Sequence, residues 1–265
     1  MSKTSNMNSN ALLSVFNPRL FFILIETVIV FFLYREFQIN IDFDISIVSI
    51  AIVFPLVFSI TSAYQRRQEA IGLFLDFRNK IIDLTNIFYA VDKIEEKDYT
   101  LLFNKLTGIQ TSLINYLENE SSKEDFEQIR QERKDVLRII DNRKQLFNER
   151  EKDSLIRVKN ELFLSAEKIR GIKIHGTPIS LKRYCLIFIY FSPLLFNTQT
   201  IIDKTPFDLS VESGFSLLFL LLMSFVLMAL YNVQDYIENP FDQKGLDDLK
   251  IEAIKVNEEE SLFHP

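Results

Sequence analysis

Charged and uncharged residues are sorted into blocks along this chain, and that sorting limits its fold more than any other feature. Leu20–Tyr34, Ile45–Ala63, Tyr184–Phe196 and Phe215–Tyr231 are almost free of charge, while the long segment between the second and third is dense in Glu, Lys, Arg and Asp. A soluble domain can also be 48% hydrophobic and 25% charged, but it interleaves the two kinds along amphipathic elements. Blocks of this kind predict an all-α integral membrane protein with a large polar helical domain.

A spanning helix needs about 20 apolar residues. Ile45–Ala63 and Phe215–Tyr231 come close to that length. Leu20–Tyr34 reaches it only with its neighbours and carries Glu26, and Tyr184–Phe196 is interrupted by Ser192-Pro193 and needs the polar continuation Asn197–Ile202. Four spans are therefore expected. The N-terminal "MSKTSNMNSNALLSVFNPRL" is polar and lacks a small-residue cleavage site, so it does not read as a signal peptide. A single cysteine, Cys185, excludes an intramolecular disulfide framework and a cysteine-based zinc site. The chain has 25 Phe and no Trp, which leaves Tyr34, Tyr184 and Tyr231 as candidates for an interfacial aromatic belt.

Orientation follows from the basic residues. The connections Glu36–Asp44 and Asn197–Gly214 hold Asp42, Asp44, Asp203, Asp208 and Glu212 against the single Lys204, whereas most Lys and Arg lie in Arg66–Arg183. The positive-inside rule then places both termini and the middle domain in the cytoplasm, with the chain multi-pass in a cell inner membrane. From Arg66 to Lys173 there is no proline, and apolar residues such as Ile71, Phe74, Leu75, Phe77, Ile81, Leu84 and Ile87 recur at helical spacing. Several long helices are expected there, one continuous with the second span and another starting at Ser121 or Ser122. Breakers return at "GIKIHGTPIS", where Pro178, Gly171 and Gly176 predict a turn. His175 reads as a loop or packing residue, because no second His or Cys lies near it. The boundaries that result are a cytosolic segment 1–19, two spans and a short outer loop over 20–63, a cytosolic helical domain over 64–182, two further spans over 183–232, and a cytosolic tail over 233–265.

Three local patterns stand in order around these runs. The first is "VFSITSAYQRRQEA" at the end of the second span, with Tyr64, Arg66 and Glu69. The second is "GTPIS" before the third span, with Thr177, Pro178 and Ile179; the third is "IENPF" followed by "LDDL" after the fourth, with Asn239, Pro240 and Phe241. Together they resemble the bestrophin family of ion channels. The departures are Arg67 and Gln68 where that family carries a Trp pair, Ser180 for a proline, and Asp242 for a glycine. The resemblance implies a homopentamer around one central pore, with four membrane helices and a cytosolic helical domain in each subunit. It implies that the second helix lines the pore, with a neck at Ile50, Phe54 and Phe58, and that Ile179 forms a lower constriction. It also implies a C-terminal clasp around Asn239, Pro240, Phe241, Asp247 and Asp248.

The chemistry of such a neck can be stated from the residues. Positions i, i+4 and i+8 fall on one narrow stripe of a helix, and apolar rings stacked about an axis gate by dewetting, because the wall offers nothing to replace an ion's water. Aromatic edges carry the positive end of the ring quadrupole and so favour anions. Pro55 removes a backbone hydrogen bond beside Phe54 and allows a hinge. Periodicity alone favours ordinary lipid-facing or core packing for this stripe, and the pore role rests on the resemblance. Glu26 is expected to pair with a basic residue among neighbouring helices.

In the eukaryotic branch of the family the run after the fourth helix contributes to a calcium site. Here Gln243-Lys244-Gly245-Leu246 separates Asp242 from Asp247 and Asp248, short of the six to eight oxygens calcium takes. A structural clasp without cofactor is the expectation. No phosphate loop, activated nucleophile or metal-ligand cluster points to an enzyme, and no basic patch with interleaved aromatics points to nucleic acid. The reading is a passive channel for chloride or other small anions, whose partners are its own copies, membrane lipid and small inorganic ions. A cation-selective channel of the same kind and a non-conducting membrane scaffold are the alternatives.

Overall fold

The computed structural model describes residues 16–37, 39, 45–91, 94–118, 123–197, 211–241, 249–250 and 254–256. Among them are seven α-helices and one short 3-10 turn, and no strand. The helices are α1 (Pro18–Glu36), α2 (Ile45–Tyr89), α3 (Glu96–Glu118), α4 (Lys123–Asn142), α5 (Glu149–Ile174), α6 (Ile179–Asn197) and α7 (Val211–Ile237). They divide into two compact units, residues 1–65 with 176–238 and residues 66–175 with 239–265; α2 contributes its first part to one and its second part to the other.

The first unit contains α1, Ile45–Gln65 of α2, α6 and α7, with α1 packed on α6 and α7 and these two on each other. Asn17 caps α1, its Oδ1 accepting from the Leu20 N–H at 3.1 Å, and Pro18 takes the first helical position, where a missing N–H costs nothing. The core is Leu20, Ile23, Phe31, Ile52, Leu56, Cys185, Ile189, Phe196, Leu220, Leu227, Met228 and Tyr231. Buried hydroxyls join helices where apolar side chains gain little from one another in lipid: Thr27 Oγ1 donates to the Ile23 carbonyl at 2.7 Å and lies 2.9 Å from Ser224 Oγ. Helix α6 runs through Ser192-Pro193, the expected interruption, and Ser192 Oγ donates to the Ile189 carbonyl at 2.7 Å. Two windows, one within Glu149–Asn197, which spans α5, the turn and α6, and one within Ser213–Ile237 of α7, are apolar enough to cross a membrane, with mean hydropathies of 1.4 and 2.3.

Two expectations are corrected in this unit. Glu26 makes no ion pair among the described residues; it is half-buried, and its Oε2 is enclosed without a hydrogen-bond partner. The basic residues of its own helix lie seven and nine residues away, about 10 and 14 Å along the axis. They are engaged elsewhere, Arg19 with Asp235 and Arg35 with Ser213. Tyr34 and Tyr231 are buried rather than set at a lipid interface, and of the three tyrosines Tyr184 alone is exposed, its hydroxyl 3.3 Å from the Ala51 carbonyl.

The second unit is a helical bundle built on a heptad-like stripe. Phe74, Phe77, Ile81, Leu84 and Phe88 of α2 are fully buried, spaced alternately three and four residues apart so that all lie on one face. They share a core with Leu102, Leu106, Ile109 and Leu113 of α3, Phe126, Ile129 and Val136 of α4, and Leu155, Leu162 and Ile169 of α5. Helix α5 opens with a reciprocal cap, Asn148 Oδ1 accepting from Glu151 N–H at 2.9 Å and Glu151 Oε2 from Asn148 N–H at 2.8 Å. Gly171 lies inside α5 rather than in the expected turn, which is confined to His175–Pro178.

Candidate functional site

Every residue of α2 from Ile45 to Ala63 is apolar or a small hydroxyl, so composition gives this stretch no polar face. Burial does. Ile50, Phe54 and Phe58 are 61, 60 and 59% exposed, whereas Ile52, Leu56, Ser59 and Ala63 are 1% exposed or less. At about 100° per residue the two sets lie on opposite sides of the helix. Ile52 and Leu56 of the inward set share a core with residues of α1, α6 and α7, and the stripe is left outward with Val53 and Val57 beside it. The Phe54 and Phe58 rings sit 5.0 Å apart at 76°, edge to face, the arrangement that aromatic quadrupoles favour. Pro55 falls between them without ending the helix.

Ile179 is the first residue of α6 and is 67% exposed, while Thr177, two residues earlier, is buried. A polar network holds this turn. The Thr177 N–H donates to Glu238 Oε1 at 3.0 Å, and Glu238 Oε2 accepts from Lys182 Nζ. Lys182 Nζ also donates to Asp235 Oδ1 at 2.7 Å, and Arg19 Nη1 approaches Asp235 Oδ2 at 3.4 Å. Asn17 Nδ2 donates to Asn232 Oδ1 at 2.8 Å, so the ends of α1, α6 and α7 are tied together. Burial works to lower the Lys182 pKa, but its hydrogen bonds to Asp235 and Glu238, with their charges, outweigh that and raise it. Sequence reasoning missed this network. Its visible trace is Asp235 and Glu238 three residues apart at the end of an apolar helix, a spacing that puts both carboxylates on one face.

After α7, where a clasp was expected, Asn239 Oδ1 accepts from the Phe241 N–H at 3.3 Å and the Pro240 carbonyl accepts from Leu249 N–H at 2.9 Å. Phe241 is fully buried in the core of the helical bundle, together with Leu249 and Val256, and Val256 N–H donates to the buried Gln110 Oε1 at 3.1 Å. Asp242, Asp247 and Asp248 lie outside the described residues. Among those described, no group of three His, Cys, Asp or Glu side chains is placed to hold a metal ion. Ile50, Phe54 and Phe58 are thus neighbours on one stripe, whereas Asn239–Phe241 belong to the other compact unit.

No protein-family model matches the chain, and no curated protein sequence matches it. Solved structures do. A bacterial bestrophin homologue from Klebsiella pneumoniae is similar with a TM-score of 0.71 at 15% identity, covering 92% of this chain and 93% of that one. A single-substitution variant of the Klebsiella protein gives 0.71 at 16%, covering 96% and 94%. A crystal structure described as that of a membrane protein gives 0.72 at 16%, covering 94% of each. At these identities the likeness is one of fold, and it extends over nearly the whole of both chains.

Proposed function

We propose that this chain is the subunit of a bestrophin-type ion channel, passing small ions passively down their gradients through a pore on the axis of five identical copies. The observation that carries the reading is the exposed aromatic stripe of α2. Three large apolar side chains, each about 60% exposed, stand on a helix whose opposite face is fully packed. An exposed apolar surface of this kind marks a surface that is covered in the working molecule. In the proposed arrangement second helices stand around an axis, with Ile50, Phe54 and Phe58 as stacked rings and Ile179 as a separate ring, and the fold likeness to a bestrophin homologue supports it. Four spans in a cell inner membrane, both termini in the cytoplasm, complete the proposal.

In this mechanism the closed neck is dry. An ion entering it loses water and gains no polar partner, so the barrier is the desolvation itself. Dilation of the rings wets the neck, and phenylalanine edges turned to the axis then favour anions. Chloride or another small anion is the proposed permeant ion. The acidic outer connections, with Asp42, Asp44, Asp203 and Asp208, favour cations at that entrance and support a cation-selective channel as the second reading.

The test is current through the purified protein in a planar bilayer under a KCl gradient. Discrete openings are expected, reversing near the chloride equilibrium potential. Reversal near the potassium value would transfer the selectivity to cations. Phe54→Ala is expected to raise open probability or conductance about tenfold, since it removes one apolar ring from the barrier, with assembly unchanged. Silence from both proteins would leave a membrane-anchored helical scaffold as the function.

A further inference from the structure

Glu238 follows α7 directly, and its two carboxylate oxygens have separate tasks. One accepts the Thr177 N–H at 3.0 Å, and the other accepts from Lys182 Nζ. These partners bracket Ile179 in the chain, two residues before it and three after. Pro178 has no N–H to offer and fixes its own φ, so the Thr177 N–H is the last backbone donor before Ile179 that can be held from outside. The Pro178 carbonyl accepts from the Leu181 and Lys182 N–H groups at 3.0 and 3.2 Å, which makes Pro178–Lys182 one stiff helical turn. Lys182 is in turn held by Asp235, one turn back along α7 from Glu238, and Asp235 is approached by Arg19 of α1. The exposed Ile179 therefore stands on a turn fastened at both ends to a single carboxylate.

We infer that Glu238 is a positioning residue for the Ile179 constriction: by holding Thr177 and Lys182 together it fixes the direction in which Ile179 projects, and so sets the width of that ring. The inference rests on the channel reading and deepens it. The charged bracket is what keeps an apolar residue in place on a turn whose neighbours Gly176, Pro178 and Ser180 are all exposed. Lys182 closes that turn, so its second partner, Asp235, adds to the hold at this end, whereas Glu238 alone also takes the Thr177 N–H among the bonds described.

The experiment is a set of single-channel recordings on the full-length protein. It compares wild type, Glu238→Ala, Glu238→Gln, Ile179→Ala and the double variant Ile179→Ala/Glu238→Ala, with each mass checked by light scattering. Glu238→Ala is expected to change unitary conductance by about twofold or more, and Glu238→Gln, which keeps an oxygen for Thr177, to recover part of the difference. In the Ile179→Ala background the Glu238→Ala change is expected to vanish, because there is no longer a side chain to position. A Glu238→Ala effect that persists undiminished in that background, or no effect in wild type, overturns the inference while leaving the channel intact. If Glu238→Ala does not assemble, Lys182→Gln is compared in the same two backgrounds with the same criteria. Silence from wild type removes both the inference and the reading beneath it.

Discussion

Asp98 and Arg143 form a two-pronged ion pair in the helical bundle, and the direction of its acid response follows from its surroundings. Arg143 donates from Nε at 2.6 Å and from Nη2 at 2.8 Å, gripping the Asp98 carboxylate with both prongs of the guanidinium. Those hydrogen bonds, with burial opposing and the Arg143 charge assisting, hold the Asp98 pKa below the ordinary carboxylate value. The folded state thus favours the ionised form more than the unfolded state does. The stabilisation is complete above the ordinary value of about 3.9 and is lost as pH falls through the lowered folded value. Asp98→Asn removes it. The variant is expected to melt a few degrees below wild type at pH 7 and to converge on wild type as pH falls below the ordinary carboxylate value. Circular dichroism at several pH values, in detergent, checks this; a constant Tm difference across the range would deny the pair its pH-linked role.

Helix ends give the next scale. The reciprocal cap of Asn148 and Glu151 satisfies two backbone donors that the first turn of α5 leaves unpaired. Asn148→Ala is expected to cost about 1 kcal/mol, lowering Tm by roughly 2–4 °C for a chain of this size, while Asn148→Ser keeps most of it. An unchanged Tm for Asn148→Ala in thermal unfolding would show that packing, not the cap, fixes this helix start. The cap is written in the sequence as Asn148-Glu149-Arg150-Glu151, but nothing local sets this Asn and Glu apart among so many charges. The helices themselves were legible. Phe74, Phe77, Ile81, Leu84 and Phe88 form a periodic apolar stripe in a polar setting, and burial follows it. In α2 before Ala63 the same logic has nothing to work on, because nearly every residue is apolar. Which face carries Ile50, Phe54 and Phe58 was available only from family resemblance, and the burial of Ile52 and Leu56 is the structural counterpart. Ion pairs between distant residues were beyond reach for a different reason. Lys182 and Glu238 are separated by 56 positions, and no local rule chooses one acid among many.

At the scale of the whole molecule the question is what covers the apolar surface of the first unit. Phe21, Phe22, Ile25 and Ile29 of α1 and Phe215, Leu218, Phe219 and Leu222 of α7 are exposed, and so is the α2 stripe. Lipid can cover the α1 and α7 residues at no cost in hydrogen bonds, since the helical backbone is satisfied internally. For the α2 stripe the number of copies decides. A two-fold dimer would press Phe54 and Phe58 against their own counterparts in an isologous contact, dry and closed, with no lumen. A ring of five keeps the stripe facing a shared axis and leaves space along it, so that the same side chains become a neck. On the proposed ring of five, the protein mass expected in detergent is five times the 31.1 kDa of one chain, about 156 kDa. Light scattering with the detergent contribution subtracted measures it directly. Phe54→Ala should leave that mass unchanged, because contacts around a ring fall mainly beside the stripe rather than on it. A mass of two chains, or dissociation caused by Phe54→Ala, would make the stripe a dimer interface and remove the pore.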